Sequence, residues 1–100
     1  MYILIFAQGY TLVGKGWCLD DNGDQINNPG FSWNTTVVKS DGSAAQCEST
    51  CSLDAECIGY MTEDGTKCDV ILSTDTNANS GIISVDSETR NYCWKTTTGK

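Results

Sequence analysis

Six cysteines are the residues of this chain whose chemistry is easiest to infer from their type and spacing. An even number of cysteines in a chain of 100 residues is typical of a disulfide framework formed in an oxidising compartment. The alternative is a zinc site built from thiolates, but such sites usually contain CxxC pairs or histidines, and the sequence has neither. We therefore expect a secreted domain stapled by disulfides, and spacing alone leaves open the pairing of Cys18, Cys47, Cys51, Cys57, Cys68 and Cys93.

The chain is poorly equipped for catalysis. It contains no histidine, which is the commonest general acid or base, and paired cysteines leave no thiol nucleophile. The sequence has neither a glycine-rich phosphate loop nor a GxSxG nucleophile motif. We therefore expect a protein that is not an enzyme and that needs no cofactor.

The charge of the chain disfavours several classes of binding partner. Thirteen acidic against six basic residues give a net charge of −7, and the basic residues are scattered along the sequence. Nucleic acids, anionic membranes and heparin-like polyanions all require a concentrated basic surface. These partners are therefore disfavoured.

A short acidic stretch that begins at Asp20 resembles a calcium-binding loop only in the alternation of its oxygen-bearing side chains. Asp20, Asn22 and Asp24 alternate as oxygen ligands do. Gly23 stands at the fourth place of the loop rather than the sixth, and Phe31 stands at the twelfth, where a calcium loop has an acid. We interpret the stretch as a turn of solvated side chains and expect no bound metal.

Two further features are candidates for contact with sugars. Asn34 begins the sequence Asn-Thr-Thr, an N-glycosylation acceptor in a secreted chain, and we expect it to carry a glycan. Aromatic residues can stack on sugar rings, but beside cysteines they more often pack around the disulfide. The second interpretation is preferred for most of the set formed by Trp17, Trp33, Tyr60, Tyr92 and Trp94.

The first half of the domain is predicted to contain two strands and a helix. Apolar and β-branched residues predict a strand that starts at Gly9 and ends at or near Cys18, and a second strand over residues 31–38. A polar loop over residues 20–30 separates them. Ser43 and Gln46 form a capping-box pattern, so a helix is expected to begin at Ser43 and to end near Leu53.

The second half of the domain is predicted to be a hairpin followed by two strands. The hairpin comprises residues 57–61 and 67–72, because the Asp-Gly pair at positions 64–65 is a strong turn signal. A polar loop over residues 73–81 leads to strands at residues 82–85 and 91–95. Residues 96–100 form a polar tail.

Residues 1–8 stand apart from this domain, and we call them the N-terminal arm. Residues 1–7 are apolar at every position, but the run is far shorter than the roughly 20 residues that span a bilayer. The arm is either the end of a secretory signal or a strand that packs against another copy of the domain. Its candidate assembly residues are Ile3, Leu4, Ile5 and Phe6.

The cysteine triplet and its surroundings resemble the PAN/apple domain family. The triplet is Cys47-x3-Cys51-x5-Cys57, preceded by Gly14-Lys-Gly-Trp-Cys18 and followed by Asp54-Ala-Glu-Cys-Ile-Gly-Tyr60. Cys68 in the next strand and Cys93 near the end complete the set, so that the resemblance covers residues 9–95.

This resemblance has implications for the fold and the function. It implies the nested pairs Cys18–Cys93, Cys47–Cys68 and Cys51–Cys57, and an α+β fold in which a curved antiparallel sheet cradles one helix. It also implies a non-catalytic extracellular module for protein or carbohydrate recognition and adhesion. The alternative function is a structural protomer of a filament or coat, self-associating through the arm.

Overall fold

The computed structural model describes residues 9–26, 37–63 and 66–97, together with the backbone of residues 32–33. This part of the chain contains one helix and seven strands. In chain order the elements are β1 (Tyr10–Lys15), β2 (Cys18–Leu19), β3 (Ser32–Trp33), α1 (Ala45–Ser52), β4 (Cys57–Glu63), β5 (Lys67–Leu72), β6 (Ser84–Val85) and β7 (Asn91–Thr96).

Five of the strands form one antiparallel sheet in the order β1-β7-β4-β5-β3. β4 lies at its centre and is buried at every position except its last, Glu63. A strand buried on both faces needs a layer on each side of the sheet. Helix α1 contacts β4 and β5 on one face, and the short antiparallel pair β2-β6 belongs to the other layer.

Consecutive residues of β4 contribute to two different hydrophobic clusters, because side chains alternate across a strand. Tyr60 faces α1 and belongs to a cluster that contains the four cysteines of the helix-side disulfides. Met61 faces the opposite side and packs with Ile26, Ile82 and other buried residues around Cys18–Cys93. The small domain therefore has two cores, one on each side of its sheet.

Three disulfides join these elements, and no described cysteine is free. Cys18–Cys93 joins β2 to β7, Cys47–Cys68 joins α1 to β5, and Cys51–Cys57 joins the end of α1 to the start of β4. All six residues are at most 1% exposed. These pairs are the ones that the PAN/apple resemblance implies, and each cluster contains at least one of them.

The helix forms where expected, but the predicted capping box is wrong. Helix α1 begins after Ala44, so its N-cap residue is an alanine, which makes no side-chain cap, and not the predicted Ser43. The Ser43 hydroxyl instead donates to the carboxylate of Asp41 at 2.6 Å, and the Ser43 amide donates to the same oxygen at 2.9 Å. Asp41 therefore holds Ser43 in the turn that precedes the helix.

The predicted hairpin is confirmed, whereas the strand predicted over residues 31–38 is wrong at its end, residues 37–38. β4 and β5 pair antiparallel from Cys57↔Leu72 to Glu63↔Lys67. β3 is described for two residues only, and Val37 and Val38 lie outside any strand. Val37 is 81% exposed, while Val38 packs against the helix-side cluster. The two valines thus serve as a connection to the helix.

Loop lengths predict unequal contributions from the disulfides to stability. Cys18–Cys93 spans 75 positions of sequence, and Cys51–Cys57 spans six. Chain entropy then predicts losses of about 4.5 kcal/mol for the double variant C18A/C93A and about 2.4 kcal/mol for C51A/C57A. Guanidinium unfolding of both variants, each beside the wild-type protein, measures the two losses. Equal losses, or a larger loss for C51A/C57A, would contradict the prediction that the disulfide closing the longer loop contributes more to stability.

Candidate recognition groove

One face of the large sheet carries a groove of about 480 Å³. Strands β1, β4 and β7 form its base, and residues 80–83, which lead into β6, form its wall. The volume lies within the range of roughly 300–1,000 Å³ that is typical of sites for small ligands. The lining residues are Thr11, Ile58, Ser80, Gly81, Ile82, Ile83, Lys95, Thr96 and Thr97.

The register of the sheet brings the residues of the base together. Thr11 of β1 lies opposite Lys95 of β7, and Lys95 lies opposite Gly59 of β4. Ile58 directly precedes Gly59 and is buried in the cluster around Cys18–Cys93. Three strands that are distant in sequence thereby present one continuous surface.

Gly59 allows the wall to approach the base. A Cβ atom at this position would collide with the carbonyl oxygen of Trp94 and would lie 2.6 Å from Cδ1 of Ile82. A larger residue would therefore push Ile82 away from the sheet. The absence of a side chain at position 59 lets both strand β7 and the side chain of Ile82 lie close to β4.

The wall is held from behind by the smaller sheet. The amide of Ile83 donates to the carbonyl of Leu19 at 2.9 Å, and the next residues pair β6 with β2. Strand β2 is in turn fixed to β7 by Cys18–Cys93. The position of residues 80–83 therefore depends on this disulfide.

The groove combines an apolar floor with a polar rim. Ile58 and Ile82 are each 6% exposed, whereas Ile83 leaves 53% of its surface accessible. Lys95 and the exposed Thr11 stand at the rim. None of the described lining residues carries a carboxylate, an imidazole or a thiol. The arrangement is suited to apolar contact and hydrogen bonding with a ligand, and it contains no acid–base pair.

Two of the aromatic candidates for sugar stacking belong to the core on the helix side. Tyr60 is completely buried, and its ring stacks on that of Trp94 at 6.2 Å and meets Tyr10 edge-on at 5.5 Å. The hydroxyl of Tyr60 donates to a carboxylate oxygen of Glu48 at 2.6 Å. Burial, followed by this hydrogen bond, raises the pKa of Tyr60 well above its ordinary value. The predicted core role is confirmed for Tyr60 and Trp94.

The other aromatic candidates lie away from the groove or outside the description. Trp17 packs against the Cys18–Cys93 cluster, and its ring nitrogen donates to the carbonyl of Ile26 at 3.0 Å. Tyr92 is half-buried, and the ammonium group of Lys15 lies 5.4 Å from the centre of its ring. The side chain of Trp33 is outside the described part of the chain.

The calcium-like stretch is a turn organised by Asp20. The carboxylate of Asp20 accepts the amides of Asn22 and Asp24 at 2.9 and 2.8 Å, and Asp20 is only 6% exposed. Asp20 thus satisfies two backbone amides of the turn, and the prediction that these side chains are solvated is wrong for Asp20. Among residues 9–26, 37–63 and 66–97, no three acidic, cysteine or histidine side chains are grouped as metal ligands.

Several predicted site residues fall outside the described chain. They are Asn34, the expected glycosylation site, and the arm residues Ile3, Leu4, Ile5 and Phe6. In the part of the chain that is described, no helix has the length and apolar character needed to cross a membrane.

The groove is not evident in the local sequence because its residues come from four separate stretches of the chain. The one local signal is the adjacent pair Ile82 and Ile83. Residues that follow one another in extended chain point in opposite directions, so one isoleucine of such a pair faces away from the core. Gly59, within an otherwise large-residue strand, is a second signal, since glycine in a strand often marks a close approach.

Comparisons with known proteins leave the family of the chain open. No family model, curated protein or solved structure matches it. The PAN/apple resemblance accordingly depends on the cysteine spacing and the flanking residues, without support from a family model.

The buried tyrosine predicts a loss of stability at alkaline pH. Because folding raises the pKa of Tyr60 above its ordinary value of 10.0, the unfolded chain releases this proton first as the pH rises. The contribution of the neutral Tyr60 hydroxyl to the free energy of unfolding is complete below pH 10. It is lost as the pH rises toward the folded-state pKa, at about 1.4 kcal/mol per pH unit for this group.

Urea unfolding of the wild-type protein and of Tyr60→Phe between pH 8 and pH 11 measures this effect. The variant should be less stable at pH 8 by about 1–3 kcal/mol, since Glu48 loses its donor. Its stability should then fall less steeply above pH 10. Parallel curves for the two proteins would show that Tyr60 does not carry the effect.

Proposed function

We propose that the protein is a non-catalytic, extracellular binding module of the PAN/apple type, which recognises a protein or a carbohydrate through its groove. The observation that carries this proposal is the groove itself, where Ile83 stays half exposed beside buried Ile58 and Ile82. Exposed apolar surface rimmed by polar groups is characteristic of binding sites.

The disulfides support the extracellular part of the proposal. Three disulfides in a domain of 100 residues are consistent with a secreted protein, since such bonds persist in oxidising compartments. They also make the scaffold rigid, so that the groove is held open before a ligand arrives. Preorganisation of this kind lowers the entropic cost of binding.

The charges of the groove favour a neutral or weakly charged ligand. Lys95 is the only charged residue among the described lining residues, and the chain as a whole has a net charge of −7. One ammonium group can orient a ligand by a hydrogen bond, but it does not form the basic surface that polyanions need. Sulfated glycans are therefore not the preferred ligands.

A second candidate function is assembly into an extracellular filament or coat through the arm. The observation that favours it is the position of β1, which stands at one end of the sheet order and pairs, within the described chain, with β7 alone. An edge strand is a template for pairing with another chain. The arm precedes this edge strand directly in sequence.

The recognition proposal is tested on immobilised panels of defined glycans and extracellular-matrix proteins. We expect binding to at least one probe and a loss of affinity of at least about tenfold in Ile83→Glu, which places a charge over the apolar floor. Leu53→Glu is the matched control, because Leu53 is 90% exposed and lies outside the groove lining. Absence of binding to every probe, or an equal loss in both variants, would contradict the proposal.

The assembly candidate is tested in the full-length chain by light scattering. The double substitution Ile3→Asp and Ile5→Asp places two charges in the apolar arm without shortening it. We expect the wild-type protein to self-associate and this variant to be a monomer, because desolvating a carboxylate opposes burial. A wild-type monomer, or a variant with the mass of the wild-type assembly, would contradict the assembly role.

A further inference from the structure

We propose that the partner of the groove is the N-terminal arm of a second copy of this chain. The inference rests on the proposed function of the groove as a binding site, and it gives that site a specific partner. Its basis is the match between the groove and the arm in polarity and charge, together with the position at which the arm joins the domain.

The groove offers the arm apolar contact. Ile58 and Ile82 form its floor, and Ile83 presents half of its surface at the wall. The one charged residue among the described lining residues is Lys95, which is exposed at the rim and can keep its ammonium group in water. Burial of a short aliphatic segment here would remove apolar surface of both partners from water.

The apolar side chains of the arm, in turn, need to be shielded from water. Residues 1–7 are apolar at every position, so a strand formed by them has no polar face to turn toward water. The open edge of β1 satisfies backbone groups but gives its neighbour no deep apolar surface. The groove provides the apolar contact that strand pairing alone does not supply.

Charge also favours this contact over direct packing of two domains. Residues 1–8 contain no charged side chain, and the first acidic residue of the chain is Asp20. Two whole domains of net charge −7 repel one another. An extended segment of seven residues reaches about 23 Å, which exceeds the Debye length of roughly 8 Å at physiological ionic strength. An arm can therefore contact a neighbour while the charged bodies stay apart.

The point of attachment favours a second copy over the arm's own domain. Gly9, where the arm joins, accepts a hydrogen bond from the amide of Thr97 at 3.0 Å, and Tyr10 pairs with Thr96. Thr97 lines one end of the groove and Thr11 lies further along it, so a chain that continued β1 backwards from Gly9 would leave the groove at that end. The arm would have to reverse direction to enter the groove of its own domain. The turn would take up arm residues that could otherwise bind in the groove of a neighbouring chain.

A complementation experiment with two full-length variants tests the inference. The arm variant carries Ile3→Asp and Ile5→Asp and retains its groove; the groove variant carries Ile83→Glu and retains its arm. We expect each variant alone to be a monomer by light scattering, with self-association weakened at least about tenfold. An equimolar mixture should form a heterodimer, because one chain supplies the arm and the other supplies the groove.

Two controls keep the result interpretable. Leu53→Glu introduces the same charge at an exposed site outside the groove lining and should assemble as the wild-type protein does. Thr11→Glu repeats the groove test at the exposed rim of β1 and should also prevent self-association. Both groove variants should retain the wild-type circular dichroism spectrum and an absence of free thiol.

The outcomes separate this inference from the function on which it rests. Normal assembly of the groove variants, or a mixture that stays monomeric, overturns the docking of the arm. If those variants also lose their affinity for immobilised glycans or matrix proteins, the recognition function stands without the arm. If they assemble poorly but bind those probes as the wild-type protein does, the recognition proposal for external ligands fails and the docking of the arm stands.

Discussion

The disulfide between Cys18 and Cys93 connects the two layers on which the groove depends. It fixes β2 to β7 and spans 75 positions of sequence. β2 then pairs with β6, and β6 continues from the wall of the groove. A two-residue strand pair has little stability of its own, so the wall keeps its place through a covalent bond and the packing around it.

On the opposite face of the sheet, disulfides and a buried tyrosine together hold the helix in place. Two disulfides join α1 to β4 and β5, and the buried ring of Tyr60 fills the space between them. The phenol group of Tyr60 finds an acceptor in Glu48 of α1, so its burial leaves no polar group without a partner. The helix side is thus held together by two disulfides and a buried hydrogen bond, while the other side of the sheet carries the groove.

The sequence allows prediction of the elements that depend on neighbouring residues, and it fails where distant residues decide. The spacing of Cys47 and Cys51 places both on one helix face, and the Asp-Gly pair at positions 64–65 identifies the hairpin. The predicted start of the helix is displaced because Ala44, rather than Ser43, is its N-cap residue. The groove escapes prediction because it requires β7 to lie between β1 and β4, with long-range pairings such as Tyr10↔Thr96 and Gly59↔Lys95.

Hydrogen exchange of the Ile83 amide tests the role of Cys18–Cys93 most directly. This amide donates to Leu19, whereas the amide of Glu48 donates to Ala44 within the helix side. In the double variant C18A/C93A, under conditions in which both proteins are folded, Ile83 should exchange at least about tenfold faster relative to the wild-type protein, and Glu48 should change much less. Unchanged protection of Ile83, or an equal acceleration at both amides, would contradict the claim that this disulfide positions the wall of the groove.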